Sequence, residues 1–66
     1  MKIKVNGKVA ETAENTNLSD LIASLKIKAK EVVVLLNEVV IKRDLWTSTA
    51  LAEGDSLEIV SLVGGG

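Results

Sequence analysis

Apolar and polar residues alternate at the start of the chain, with Ile3 and Val5 on one side and Lys2 and Lys4 on the other, and Asn6-Gly7 follows at once. Period-two alternation predicts a half-buried strand. Asn-Gly predicts a type I′ hairpin turn, because both central residues need positive φ and these two tolerate it best. Residues 8–12 form the returning strand. Its register stays open: a strict two-residue turn sets Lys8 opposite Val5 on the inner face, whereas a longer loop would turn Val9 inward. Residues 11–17 are polar and aperiodic. Leu18, Leu21, Ile22 and Leu25 then fall at i, i+3, i+4 and i+7, one apolar helical stripe, and predict a helix over residues 18–26. Asn17 stands as N-cap, with Asp20 three residues on as the acid of a capping box. Lys26, Lys28 and Lys30 favour the negative end of that helix and read as a solvated lysine cluster.

The run Val32 to Leu36 is aliphatic, rich in β-branched residues and bounded by charge before it and Asn37-Glu38 after it, which favours an interior strand over a helix. Residues 39–41 form a short strand across the Asn37-Glu38 turn. Residues 45–51 show no clear period, and Trp46 and Leu51 are placed to tuck under the sheet from an irregular or single-turn segment. Glu53-Gly54-Asp55 is a turn into a last alternating strand reaching about Leu62. The order is two strands, a helix and three short strands. This is an α+β arrangement in which a mixed sheet of four to five strands carries one main helix across one face. If the two outer segments pair at the centre they are parallel, with the helix in the crossover, and the fold is a β-grasp. Residues 1–62 form this domain and residues 63–66 a glycine tail.

Composition narrows the chemistry. The 66 residues are 47% hydrophobic, with Trp46 the one aromatic, and the core must be aliphatic. There is no His and no Cys. The usual acid/base at neutral pH, the thiol nucleophile and the soft metal ligands are therefore missing, and the chain is read as neither an enzyme nor a metal protein, with no catalytic residue of its own. Eight basic residues against nine acidic ones are expected to give no basic stripe for phosphate backbones, and a single Trp gives no stacking platform, so nucleic acid is not an expected partner. The longest apolar run is five residues, far short of a membrane span, and no signal-peptide pattern opens the chain. A soluble protein of the cytoplasm is expected.

The chain closes on Gly64-Gly65-Gly66. Three glycines after a strand describe a side-chain-free arm that can enter a channel too narrow for any side chain. Its end is a carboxylate open to activation on a phosphoanhydride when another protein supplies the nucleotide. The chain has no phosphate-binding loop of the G-x-x-x-x-G-K type, so activation falls to that partner. Without Cys, any sulfur carried by the chain must sit on the C-terminal carbonyl carbon.

These features together resemble the ThiS family, the sulfur-carrier proteins of thiamine (thiazole) biosynthesis. The resemblance rests on Val5-Asn6-Gly7, the capped segment Asn17-Leu18-Ser19-Asp20-Leu21-Ile22, and Asn37 followed by Arg43 and Trp46. It continues through Glu53-Gly54-Asp55, Leu57-Glu58-Ile59-Val60 and Val63-Gly64-Gly65-Gly66. Lys42 departs from it, standing where a Pro commonly precedes the Arg. The resemblance implies a cycle in which the Gly66 carboxylate is adenylated by an E1-like, ThiF-like partner that brings the ATP. The adenylate is then converted to a thiocarboxylate by a sulfur donor and passed to a ThiG-like thiazole synthase. No cofactor bound by the chain itself is implied. Two other readings are a carrier of the molybdopterin-synthase small-subunit type, which usually has aromatic and Pro residues before its glycines, and a ubiquitin-like binding module with an inert tail.

A partner also needs a surface to hold. If Val34 faces the helix, Val33 and Leu35 face away; if Leu57 and Ile59 face in, Val60 and Leu62 face out. These four aliphatics are expected to share an outer docking face, because a contiguous exposed apolar patch marks an interaction site. Arg43, Glu38 and Glu58 are candidates for its polar rim or for surface ion pairs, and Trp46 for a core anchor.

Overall fold

The computed structural model describes residues 1–62; the expected arm of Gly64, Gly65 and Gly66 lies outside the described residues. Five strands form one sheet: β1 (Lys2–Val5), β2 (Lys8–Glu11), β3 (Val32–Leu36), β4 (Val39–Ile41) and β5 (Ser56–Ser61). Their order is β2-β1-β5-β3-β4. The central contact is the parallel pair β1·β5, and the other pairs are antiparallel. Helix α1 (Leu18–Ser24) lies in the crossover that a parallel pair requires. The arrangement is the β-grasp that the element order implied.

The first hairpin takes the tight register. Val5 faces Lys8 across Asn6 and Gly7, whose φ angles of 52° and 84° are those of a type I′ turn. Val9 is consequently opposite Lys4 on the outer face and 66% exposed. Asn37 and Glu38 repeat the geometry between β3 and β4, with φ of 50° and 72°, but here a glutamate occupies a position that favours glycine.

Helix α1 starts where its cap says it should: the Asn17 Oδ1 accepts from the Asp20 N–H at 2.7 Å, the Asn17 half of the expected capping box. It ends two residues earlier than the apolar stripe suggested. Lys26 turns left-handed at φ 59°, its N–H donating to Ala23 O and that of Ile27 to Ile22 O. This pair of bonds is a Schellman closure, and it leaves Leu25 exposed instead of buried. The three buried helix residues, Leu18, Leu21 and Ile22, pack on Ile3, Val34, Leu57, Leu51 and Trp46 to make the core.

Residues 43–48, aperiodic in sequence, form a 3-10 segment (Arg43–Ser48). It sits on the helix side of the sheet and buries Trp46, whose Nε1 donates to Ile41 O at 2.9 Å, so the indole is the expected core anchor with its one polar atom satisfied. Lys42, just ahead of it, has φ −62°, the value a proline ring would fix. The Leu18 N–H to Thr49 O and Leu51 N–H to Thr16 O bonds tie this loop to the start of α1. Among the described residues no helix is long and apolar enough to cross a membrane.

Candidate functional site

Strand β5 carries the chain toward its C-terminal residues, and the structure fixes its course by unusual means. The backbone ladder with β1 covers only Lys4↔Ser56 and Val5↔Leu57, after which β1 turns away into its hairpin. The Asn6 side chain takes over. Its Oδ1 accepts from the Ile59 N–H at 2.8 Å and its Nδ2 donates to Ile59 O at 3.5 Å, so an amide side chain stands in for the next residue of a neighbouring strand. At the other end of β5 a second asparagine does similar work: Asn37 Oδ1 accepts from the Ser56 N–H at 3.0 Å, and Asn37 Nδ2 donates to Asp55 Oδ1 at 3.1 Å. On the far side, five register pairs with β3 run from Leu36↔Leu57 to Val32↔Ser61. The Leu62 N–H then donates to Glu31 O at 2.7 Å, the last described attachment of the chain before its glycines.

The open face of the sheet lies alongside this exit. Register places Val33 directly opposite Val60, and Leu35 between Glu58 on β5 and Val40 on β4. Val33 and Leu35 are half-buried, Val60 is 47% exposed, and Leu62, one residue beyond the strand, is exposed. Three of the four expected docking residues thus share one face by register, and the fourth is accessible where the chain leaves it. Val40 belongs with them and was missed; its signal was the three-residue run of β4, which alternation alone was too short to orient. Glu58 borders the patch, but neither it nor Glu38 or Arg43 forms an ion pair, because the single ion pair among the described residues joins the N-terminal ammonium to Glu14 at 3.4 Å. Trp46 does not cover the patch; it lies in the core on the opposite side.

No enclosed chamber competes for a ligand on the described surface near β1. A shallow cleft of about 170 Å³ there is lined by Lys2, Ile3, Lys4, Val9, Glu53 and Gly54. That is below the roughly 300 Å³ at which small-molecule sites begin, and two of its backbone groups are already engaged, Lys2 N–H with Glu53 Oε1 and Gly54 N–H with Lys2 O.

Fold and site together define a small β-grasp protein whose chain end leaves the central strand beside an open aliphatic face. A protein-family model described as the ThiS family matches residues 3–66, and the chain belongs to that family. It is 34% identical over 65 residues to the sulfur carrier protein ThiS of Bacillus subtilis, covering 97% of this chain and 98% of that one. It is also 33% identical over 66 residues to a thiazole synthase of Magnetococcus marinus, of which it spans only 20%. A crystal structure of the thiamine biosynthesis protein (ThiS) from Geobacter metallireducens superposes with a TM-score of 0.87 at 36% identity, covering both chains completely.

Proposed function

We propose that this chain is the sulfur carrier of thiazole formation, a protein-sized substrate and not a catalyst, with Gly66 as the group that is activated and loaded. The observation that supports it most is that the family match runs through the glycines to residue 66. In the first step a Gly66 carboxylate oxygen attacks the α-phosphorus of ATP held by an E1-like partner; the bond to the β-phosphate oxygen breaks and pyrophosphate leaves. In the second, a sulfur donor equivalent to hydrosulfide attacks the carbonyl carbon, and AMP leaves with its electron pair, giving the thiocarboxylate. ATP is the partner's ligand, and the chain binds no cofactor itself.

Gly64 and Gly65 supply the side-chain-free approach that a narrow channel needs. Val33, Leu35, Val60 and Leu62 form the surface the partner holds, next to the point where the chain departs. Residues 1–62 act as the handle and residues 63–66 as the working end. Thiazole synthase is the acceptor: the M. marinus thiazole synthase has a fifth of its length similar to this entire chain, which supports the two working on each other. All of these steps belong in the cytoplasm, where ATP is available.

The test is pyrophosphate release on mixing the protein with the activating enzyme and ATP. The parent chain releases it, and a variant with one extra residue after Gly66 releases none while its urea midpoint is unchanged. Release from the extended variant would show that the reactive carboxylate is elsewhere; none from the parent would leave only an inert ubiquitin-like module.

A further inference from the structure

The charges of this nearly neutral chain are sorted along the sheet. Lys26, Lys28 and Lys30 lie between the end of α1 and the start of β3, all exposed. The Glu31 N–H donates to Lys28 O at 3.0 Å, closing the 3-10 turn Ala29–Glu31, and Glu31 O holds the Leu62 N–H. Lys30 is therefore one residue from the chain's exit. Lys42 and Arg43 follow β4, which runs toward the same end of the sheet, from Val39 level with Leu36 to Ile41 level with Val34 and Ile59. Five of the eight basic residues thus fall in the two segments that lead toward the tail end of the sheet, residues 26–31 and 42–44, with only two of the nine acids, Glu31 and Asp44. The other three lysines, Lys2, Lys4 and Lys8, lie on β1 and β2. Glu38, Glu53 and Asp55 gather at the opposite end, where β3 turns into β4 and β5 begins.

None of the five collar residues forms an ion pair among the described residues. Lys26 moreover holds the left-handed closing position of α1, where glycine is the usual choice. A basic cluster that forms no ion pair within the fold, near the point where the described chain ends, has the polarity to meet an acidic surface on a partner.

We propose that this collar docks on an acidic rim around the opening that receives the C-terminal glycines, on the surface of the activating protein. The inference rests on the carrier reading. The collar's partner is a protein and not a nucleic acid, because the one aromatic able to stack on a base, Trp46, is 3% exposed and on the core side, and the rest of the chain carries an acidic excess that repels a long polyanion. Its contribution is to the rate and orientation of encounter, with the aliphatic face supplying the contact that follows.

The experiment measures the association rate of the intact protein with the activating enzyme between about 50 mM and about 500 mM salt, together with pyrophosphate release at saturation. The parent's association slows about tenfold across that range. At low salt the triple variant Lys26→Gln, Lys28→Gln, Lys30→Gln associates about tenfold more slowly and loses most of the salt dependence, with its saturated release rate unchanged. The double variant Lys28→Gln, Lys30→Gln, which spares the left-handed position, gives a smaller drop of the same kind. The control Lys2→Gln, Lys8→Gln keeps the parental rate. A parent that is released from ATP chemistry altogether, with no pyrophosphate formed, overturns the carrier reading and the collar with it. An active parent whose triple variant associates at the parental rate overturns the collar alone. So does a control variant that slows equally, or a mixed-sequence single-stranded oligonucleotide that binds the parent tightly and the triple variant weakly.

Discussion

On the helix side of the sheet Ile3, Val34 and Leu57 are at most 1% exposed, whereas on the other side their strand neighbours Val33, Leu35 and Val60 stay partly open to water. The residue types are the same. On the inner face Ile3, Val34 and Leu57 are covered by α1 and Trp46, which share their core. On the outer face a comparable group, with Val40 and Leu62 beside it, has no helix packed over it among the described residues. Folding accounts for the first set, and the second is the set that the proposed docking of a partner protein draws on.

The largest effect expected from breaking this contrast is on the inner face. Leu57→Ala removes a fully buried side chain at the centre of the sheet and is expected to destabilise the fold by about 2–5 kcal/mol in urea unfolding. Val60→Ala, three residues along the same strand, is expected to cost no more than about 0.5 kcal/mol. Similar losses at both positions would mean that the outer face is core after all.

The outer face answers to a different measurement. Val60→Asp leaves far-UV circular dichroism and the unfolding midpoint near parental values but weakens binding to the activating enzyme about tenfold or more, because the interface then buries an unpartnered carboxylate. Binding equal to the parent would place the partner on another surface.

A finer cut falls on β5, the strand both faces share. Asn6→Gly keeps the positive φ of the turn and removes only the amide that holds Ile59; the expected cost is about 1 kcal/mol, with hydrogen exchange at Ile59 accelerated more than at Leu57. Glu38→Gly tests the second hairpin in the opposite sense. Relieving a left-handed glutamate at φ 72° is expected to stabilise the protein by about 0.5–1 kcal/mol, in spite of the added freedom of the unfolded chain.

What was legible beforehand follows from how local each signal is. The Asn6-Gly7 turn, the Leu18-Leu21-Ile22 stripe with its Asn17 cap, and the β-branched run of β3 are written within a few residues and pointed to a sheet of four to five strands with one helix, whereas the parallel central pair followed only on the condition that the two outer segments meet. The helix end was overextended because Leu25 continues the apolar period, while the Schellman closure at Lys26 depends on backbone geometry that a lysine does not announce. The 3-10 segment over Arg43–Ser48 has no period to read. Most hidden were the asparagine clamps. Asn6 and Asn37 are visible as turn residues, but their amide bonds to Ile59 and Ser56 link positions 53 and 19 residues apart and arise only once the sheet is assembled. For the site, alternation was enough to put Val33, Leu35 and Val60 on one outer face, while the pairing of Val33 with Val60 required the register of β3 and β5.

The central claim is that the chain carries sulfur on its own C-terminal carbon, and intact-mass spectrometry tests it most directly. After incubation with the activating enzyme, ATP and a sulfur donor, the account predicts a mass gain equal to the difference between one sulfur and one oxygen atom, confined to the peptide containing Gly66. A gain located on any internal residue, or an unchanged mass under conditions that release pyrophosphate and transfer sulfur, would contradict it.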